Sequence, residues 1–150
     1  MTELKFRNLN VTPDSPVEDW GFEGLLTAAE LGDITHWRRI MAAVRRNPYC
    51  EVAREMVQVI EAIEDPGTAG MLRAGMKLVR ERAAAEEVSE VAGRLSDFLA
   101  KAGMSRFEFA RNLGTSQSRL STYLSGKTVP SAAIYIRAEH LAQRFAVENR

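Results

Sequence analysis

The chain has 150 residues, 45% of them hydrophobic, with 20 Lys and Arg against 20 Asp and Glu, so its formal net charge is zero. That length and apolar content suffice to bury a core in one medium domain or two small ones, and they argue against a long unstructured tract. A single cysteine, Cys50, excludes an internal disulfide, and with only His36 and His140 to help, no zinc cluster or other metal site is expected.

Residues 1–16 contain Pro13 and Pro16 and show no sustained periodicity, so they are read as a flexible arm or a strap laid over the domain. The opening MTELKFRNLN has charges among its apolar residues and lacks the apolar run of a signal peptide, and nothing later approaches a membrane span. A reducing, cytoplasmic setting is expected. From Val17 the pattern turns helical, with Trp20, Phe22, Leu25, Leu26 and Ala29 on one side until Gly32. Asp33 is placed to cap a second helix through Trp37, Ile40, Met41 and Val44, which Asn47-Pro48 stops. A third helix from Tyr49 to Glu64 buries Val52, Met56, Val59, Ile60 and Ile63. These helices predict an N-terminal helical bundle over residues 17–66.

Residues 67–88 predict a connecting helix with Met71, Leu72, Met76, Val79 and Ala83 at helical spacing. That stripe either pairs with a second copy or packs within one chain. Ser89 either caps a new helix or sits inside a long one, and the last domain is assigned to residues 89–150. No stretch alternates apolar and polar residues, so the fold class is all-α.

A search for chemistry in the bundle finds little. Asp33, Glu51, Glu55, Glu61, Glu64 and Asp65 are spaced for solvated helix faces with Arg partners. His36 follows a cap and is expected at the surface or as a cap partner, and Cys50 as a buried, inert thiol. No phosphate loop or serine elbow occurs. Neither enzymatic activity nor a cofactor is expected.

The segment SRFEFARNLGTSQSRLSTYLSGKTVP, Ser105 to Pro130, is the most informative in the chain. Ser105 with Glu108 forms a capping box that starts a helix, and Phe107, Ala110 and Leu113 recur on it until Gly114. Glycine enters the left-handed region without steric cost and allows a sharp turn. Ser116 then caps a second short helix with Leu120, Tyr123 and Leu124 inward and Gly126 at its end. Subtracting that stripe leaves Gln117, Ser118, Arg119, Ser121 and Thr122, all able to hydrogen-bond and clustered toward the N-terminus. Such a surface suits the DNA major groove, where base edges meet the tip of a helix and phosphates meet its dipole.

From about Val91 to Leu141 the chain resembles the helix-turn-helix domains of the phage-repressor, Cro/CI (XRE) type, carrying Gly103, Ser105, Ala110, Gly114, Ser116, Gly126, Lys127 and Pro130 at the matching places. The resemblance implies a lambda-repressor-like domain in which Gln117, Ser118, Ser121 and Thr122 face bases. It further implies that Arg106, Arg111, Arg119 and Lys127 approach phosphates, with Thr128 beside them. In the family, the region after the fourth helix often supplies a dimer contact; here only Ala142 to Arg150 follow Leu141, so the dimer surface is sought in the bundle or the connecting helix.

Charge is distributed in keeping with that resemblance. Ser89 to the end carries nine Lys and Arg against five Asp and Glu, a net of +4, and residues 1–88 carry eleven against fifteen, a net of −4. Arg38, Arg39, Arg45 and Arg46 form a basic edge that either touches DNA or balances the acidic helix after it. The expected function is a sequence-specific, nucleoid-associated transcriptional regulator, a repressor binding a palindromic operator in double-stranded DNA as a homodimer. The alternative is an antitoxin that holds a toxin protein through its acidic N-terminal half and represses its own operon.

Overall fold

The computed structural model describes residues 3–7 and 9–148, and these form one short 3-10 helix and seven α-helices, with no strand among them. The all-helical class read from the sequence is the one the chain adopts. It divides into two compact units, Met1–Ala83 and Ala84–Arg150.

Unit 1 is built from α1 (Gly21–Leu31), α2 (Ile34–Arg46), α3 (Glu51–Ala62) and the first part of α4 (Pro66–Ala102). Asp33 caps α2 in a capping box with His36, accepting from the Thr35 N–H at 2.8 Å and the His36 N–H at 3.3 Å. Desolvation pushes the Asp33 carboxyl up, but those backbone donors and the His36 ring together outweigh it and hold the group below its ordinary 3.8. Asp65 opens α4 in the same way: the Thr68 hydroxyl and then the Thr68 N–H, both at 2.7 Å, hold its carboxyl below 3.8. Trp20, Leu25, Ile40, Val44, Val52, Met56 and Val59 fill the core. Residues 3–7 and 9–16 behave as a strap: Leu4 and Phe6 pack against this core, Phe6 meets Trp20 edge-on at 5.3 Å, and Arg39 donates to the carbonyls of Pro13 and Ser15 while lying over the Trp20 ring. Met1, Thr2 and Asn8, which belong to the expected arm, lie outside the described residues.

Two boundaries differ from the sequence reading. The division between the units falls between Ala83 and Ala84, inside the 37-residue α4, and of the two readings of Ser89 the place inside a long helix is the one the chain adopts. Nothing between Ala83 and Ala92 breaks a helix, for neither glycine nor proline occurs there and alanine and glutamate favour continuation. Leu72, Met76 and Val79 are consumed by the core of unit 1, which removes them as a surface for a second copy; only Met71 of that stripe points outward. The third helix is shorter than expected, because Tyr49 and Cys50 precede it and Ile63 follows it.

Unit 2 contains the remainder of α4, α5 (Arg106–Leu113), α6 (Gln117–Leu124) and α7 (Ala132–Glu148). Its core joins Leu95, Phe109, Ala110, Leu113, Leu120, Tyr123 and Ala138, with Phe98 against Tyr135 at 5.4 Å. The apolar face of α5 is set by Phe109, not Phe107; Phe107 is 55% exposed, with the Arg111 guanidinium 5.8 Å from its ring. No helix among the described residues is long and apolar enough to cross a membrane.

Candidate nucleic-acid interface

The geometry of α5, its turn and α6 follows from caps at each end. Ser105 accepts from the Glu108 N–H and the Glu108 carboxylate accepts from the Ser105 N–H, each at 3.2 Å, which satisfies donors that a helix start leaves open. At the other end Gly114 adopts φ 76°, and the N–H groups of Thr115 and Gly114 return to the carbonyls of Ala110 and Arg111 at 3.0 and 3.1 Å. This is a Schellman closure, and three residues separate α5 from α6. Ser116 accepts from the Arg119 N–H at 3.1 Å and starts α6.

The far end of α6 closes the same way. Gly126, also at φ 76°, donates to Tyr123 O at 3.3 Å, and Lys127 N–H donates to Thr122 O at 3.0 Å. Gly114 and Gly126 share a positive φ with Gly21 and Gly103, and a β-carbon in this region costs about 1–2 kcal/mol.

Buried Leu120 and Tyr123 fix the rotation of α6 and turn its other side to solvent. Gln117, Ser118, Arg119 and Ser121 are exposed there, and Gln117 with Ser121 and Ser118 with Ser121 are helical neighbours on one face. Thr122 is half-buried, and its hydroxyl is engaged: it lies 2.7 Å from Arg119 O, to which it donates, and 2.7 Å from the Thr128 hydroxyl. Thr122 also accepts at its carbonyl from the N–H groups of Lys127 and Thr128, so it ties residues 125–128 to the helix end. Arg106 and Arg111 on α5, Arg119 on α6, and Lys127 and Thr128 just beyond it are all exposed. None of these four cations belongs to an ion pair among the described residues.

One participant had no signal in the sequence. Arg137 of α7 donates through Nη1 to Leu113 O at 3.0 Å, and a β-carbon on Gly114 would stand 3.4 Å from that nitrogen. It closes the C-terminal end of α5 with a positive charge, where the helix dipole favours one. The Thr115 hydroxyl in the same turn is buried without a hydrogen-bond partner.

His36 belongs to the α2 cap, Glu51 pairs with Arg54, Arg46 pairs with Glu18 at 2.8 Å, and Cys50 is half-buried with its Sγ 4.0 Å from Ala43 O. Arg39 of the basic edge is committed to the strap, while Arg38 and Arg45 are exposed. Among the described residues no group of three or more His, Cys, Asp or Glu side chains is placed to hold a metal ion. Comparison with known proteins finds no family model, no curated protein and no solved structure that matches the chain.

Proposed function

We propose that the chain is a sequence-specific DNA-binding regulator that acts by occupying its operator, with α5 and α6 as a helix-turn-helix and α6 as the recognition helix. The observation that carries this reading is the polar tip of α6: Gln117, Ser118 and Ser121 stand exposed on a helix whose opposite side is locked in the core. Four cations without ion-pair partners accompany that tip, and phosphate contacts of this kind supply register while base-edge contacts supply sequence. In this reading Arg106, Arg111, Arg119, Lys127 and Thr128 approach phosphates, Gln117, Ser118 and Ser121 meet bases, and Thr122 contributes through the loop it holds. One recognition helix reads only a few base pairs, so two copies on a palindrome, working as a repressor in the cytoplasm, complete the proposal.

The test is selection from a random duplex library with the purified chain at moderate ionic strength. Enrichment of a palindromic site supports the reading, and an unenriched library overturns it. The acidic balance of unit 1, eleven Lys and Arg against thirteen Asp and Glu for a net of −2, favours a second reading in which it holds a basic toxin protein while unit 2 binds the operon's own DNA. Toxicity of a neighbouring gene product in the absence of this chain distinguishes the two.

A further inference from the structure

Between α3 and α4, within unit 1, lies a groove of 320 Å³ that the DNA-binding reading does not use. Its floor is apolar: Ile60 and Met76 are buried there, and Val57 beside them keeps 43% of its surface exposed. Its rim is charged. Arg73, Lys77 and Arg80 recur at intervals of four and three residues, which puts them on one side of α4, and Glu61 lines the groove from α3.

The charge on that rim is only partly answered within the chain. Lys77 pairs with Glu81, one turn on, at 3.8 Å, and both side chains stay mostly in water, where such a pair holds weakly. Arg73, Arg80 and Glu61 belong to no ion pair among the described residues. Three cations against two carboxylates, Glu61 and Glu81, leave the lining at a net of +1. Unit 1 as a whole carries eleven Lys and Arg against thirteen Asp and Glu, a net of −2, so this positive excess is local to the groove.

Size and chemistry narrow the occupant. Sites for small molecules run from about 300 to 1,000 Å³, with apolar surface for the body of the ligand and a few polar groups that fix its orientation. The methylene stems of Arg73, Lys77 and Arg80 extend the apolar lining, while their charged heads stay at the rim. A body laid over Val57, Ile60 and Met76 leaves one negative group beside the guanidinium heads of Arg73 and Arg80, which donate charge-assisted hydrogen bonds to such a group.

We propose that this groove binds a free small molecule with an apolar ring or short acyl body and a single negative charge, held by Arg73 and Arg80. The site does not depend on the DNA-binding reading, and it is tested without DNA.

Anilinonaphthalene sulfonate, an apolar monoanion whose fluorescence rises on leaving water, serves as the probe. Phenylnaphthylamine, which has the same rings without the sulfonate, is the neutral control. Titration of the full chain should show one site that prefers the sulfonate by about 10-fold or more. Arg73→Gln with Arg80→Gln should remove that preference and leave binding of the neutral probe in place, at the parental melting temperature because both side chains are exposed. Val57→Asp should weaken both probes. A parent that binds neither probe or binds both alike, a double variant that keeps the preference, or a Val57→Asp chain that binds as the parent does overturns the proposal. Capture of the parent by phosphatidylglycerol vesicles, lost in the double variant, would put a membrane surface in place of the free molecule and overturn it too.

Discussion

Gln117 and Lys127 sit at opposite ends of α6 and are assigned different work, so their truncations should be distinguishable. Gln117 is exposed at the helix tip, and an amide placed on a base edge contributes to one position of a site. Gln117→Ala should cost about 1–3 kcal/mol for each bound copy on the selected operator and relax preference at one base pair of each half-site, as read by competition with single-base variants of the site. Lys127→Ala should weaken binding to all sequences alike and reduce the salt slope by about 1 for each bound copy. Parental binding by both variants would contradict the roles assigned. Thr122 separates position from function: its hydroxyl bonds Arg119 O and Thr128, so Thr122→Val should loosen residues 125–128 and lower stability more than it alters base preference. A changed base preference at parental melting temperature would reverse that assignment.

At the scale of elements, what was legible in the sequence is what local chemistry dictates. Asp33, Ser105, Ser116, Gly114 and Gly126 each announce a helix end by their own hydrogen bonding or backbone freedom, and each stands at such an end. The polar tip of α6 followed from subtracting Leu120 and Tyr123, both buried. Where two residues competed for one face, tertiary packing decided: Phe107 and Phe109 are equally apolar, and only contact with the rest of unit 2 selects Phe109. The length of α4 was hidden for a related reason, since Ser89 suits a cap and a helix interior alike. Arg137 was invisible because its partner, Leu113 O, lies 24 residues away. Leu120→Ala should lower stability by about 2–5 kcal/mol, seen as a fall in melting temperature, since it empties a fully buried site joining α6 to the core. The α2 and α4 caps make acid stability predictable in sign. Folded Asp33 and Asp65 titrate below 3.8, so the folded state prefers their ionised forms. Their contribution is whole above the unfolded value and is lost as pH falls through the lowered folded values. Asp65→Asn should therefore flatten the acid limb of the unfolding profile and leave the neutral region shifted down uniformly; an unchanged acid limb would show that the cap contributes nothing.

For the whole molecule the informative quantity is where charge meets DNA, not how much charge there is. A formal net charge of zero suggests weak, salt-insensitive binding if the sum decides. Counterion release depends instead on the cations that touch phosphates, with a slope of about −0.9 for each phosphate neutralised. Arg106, Arg111, Arg119 and Lys127 are exposed and outside ion pairs among the described residues, so each bound copy should contribute about −3 to −4 to the slope of log K against log salt. Two copies on a palindrome should give about −7. Fluorescence anisotropy on the selected duplex across a salt series measures this directly, and a half-site duplex should show about half the slope of the full site. A slope near −1 on the full site would mean that these cations remain hydrated and that contact with phosphate is made elsewhere. A slope of about −3.5 on the full site would mean that one copy binds, which separates the arrangement of two recognition helices from the chemistry of a single one.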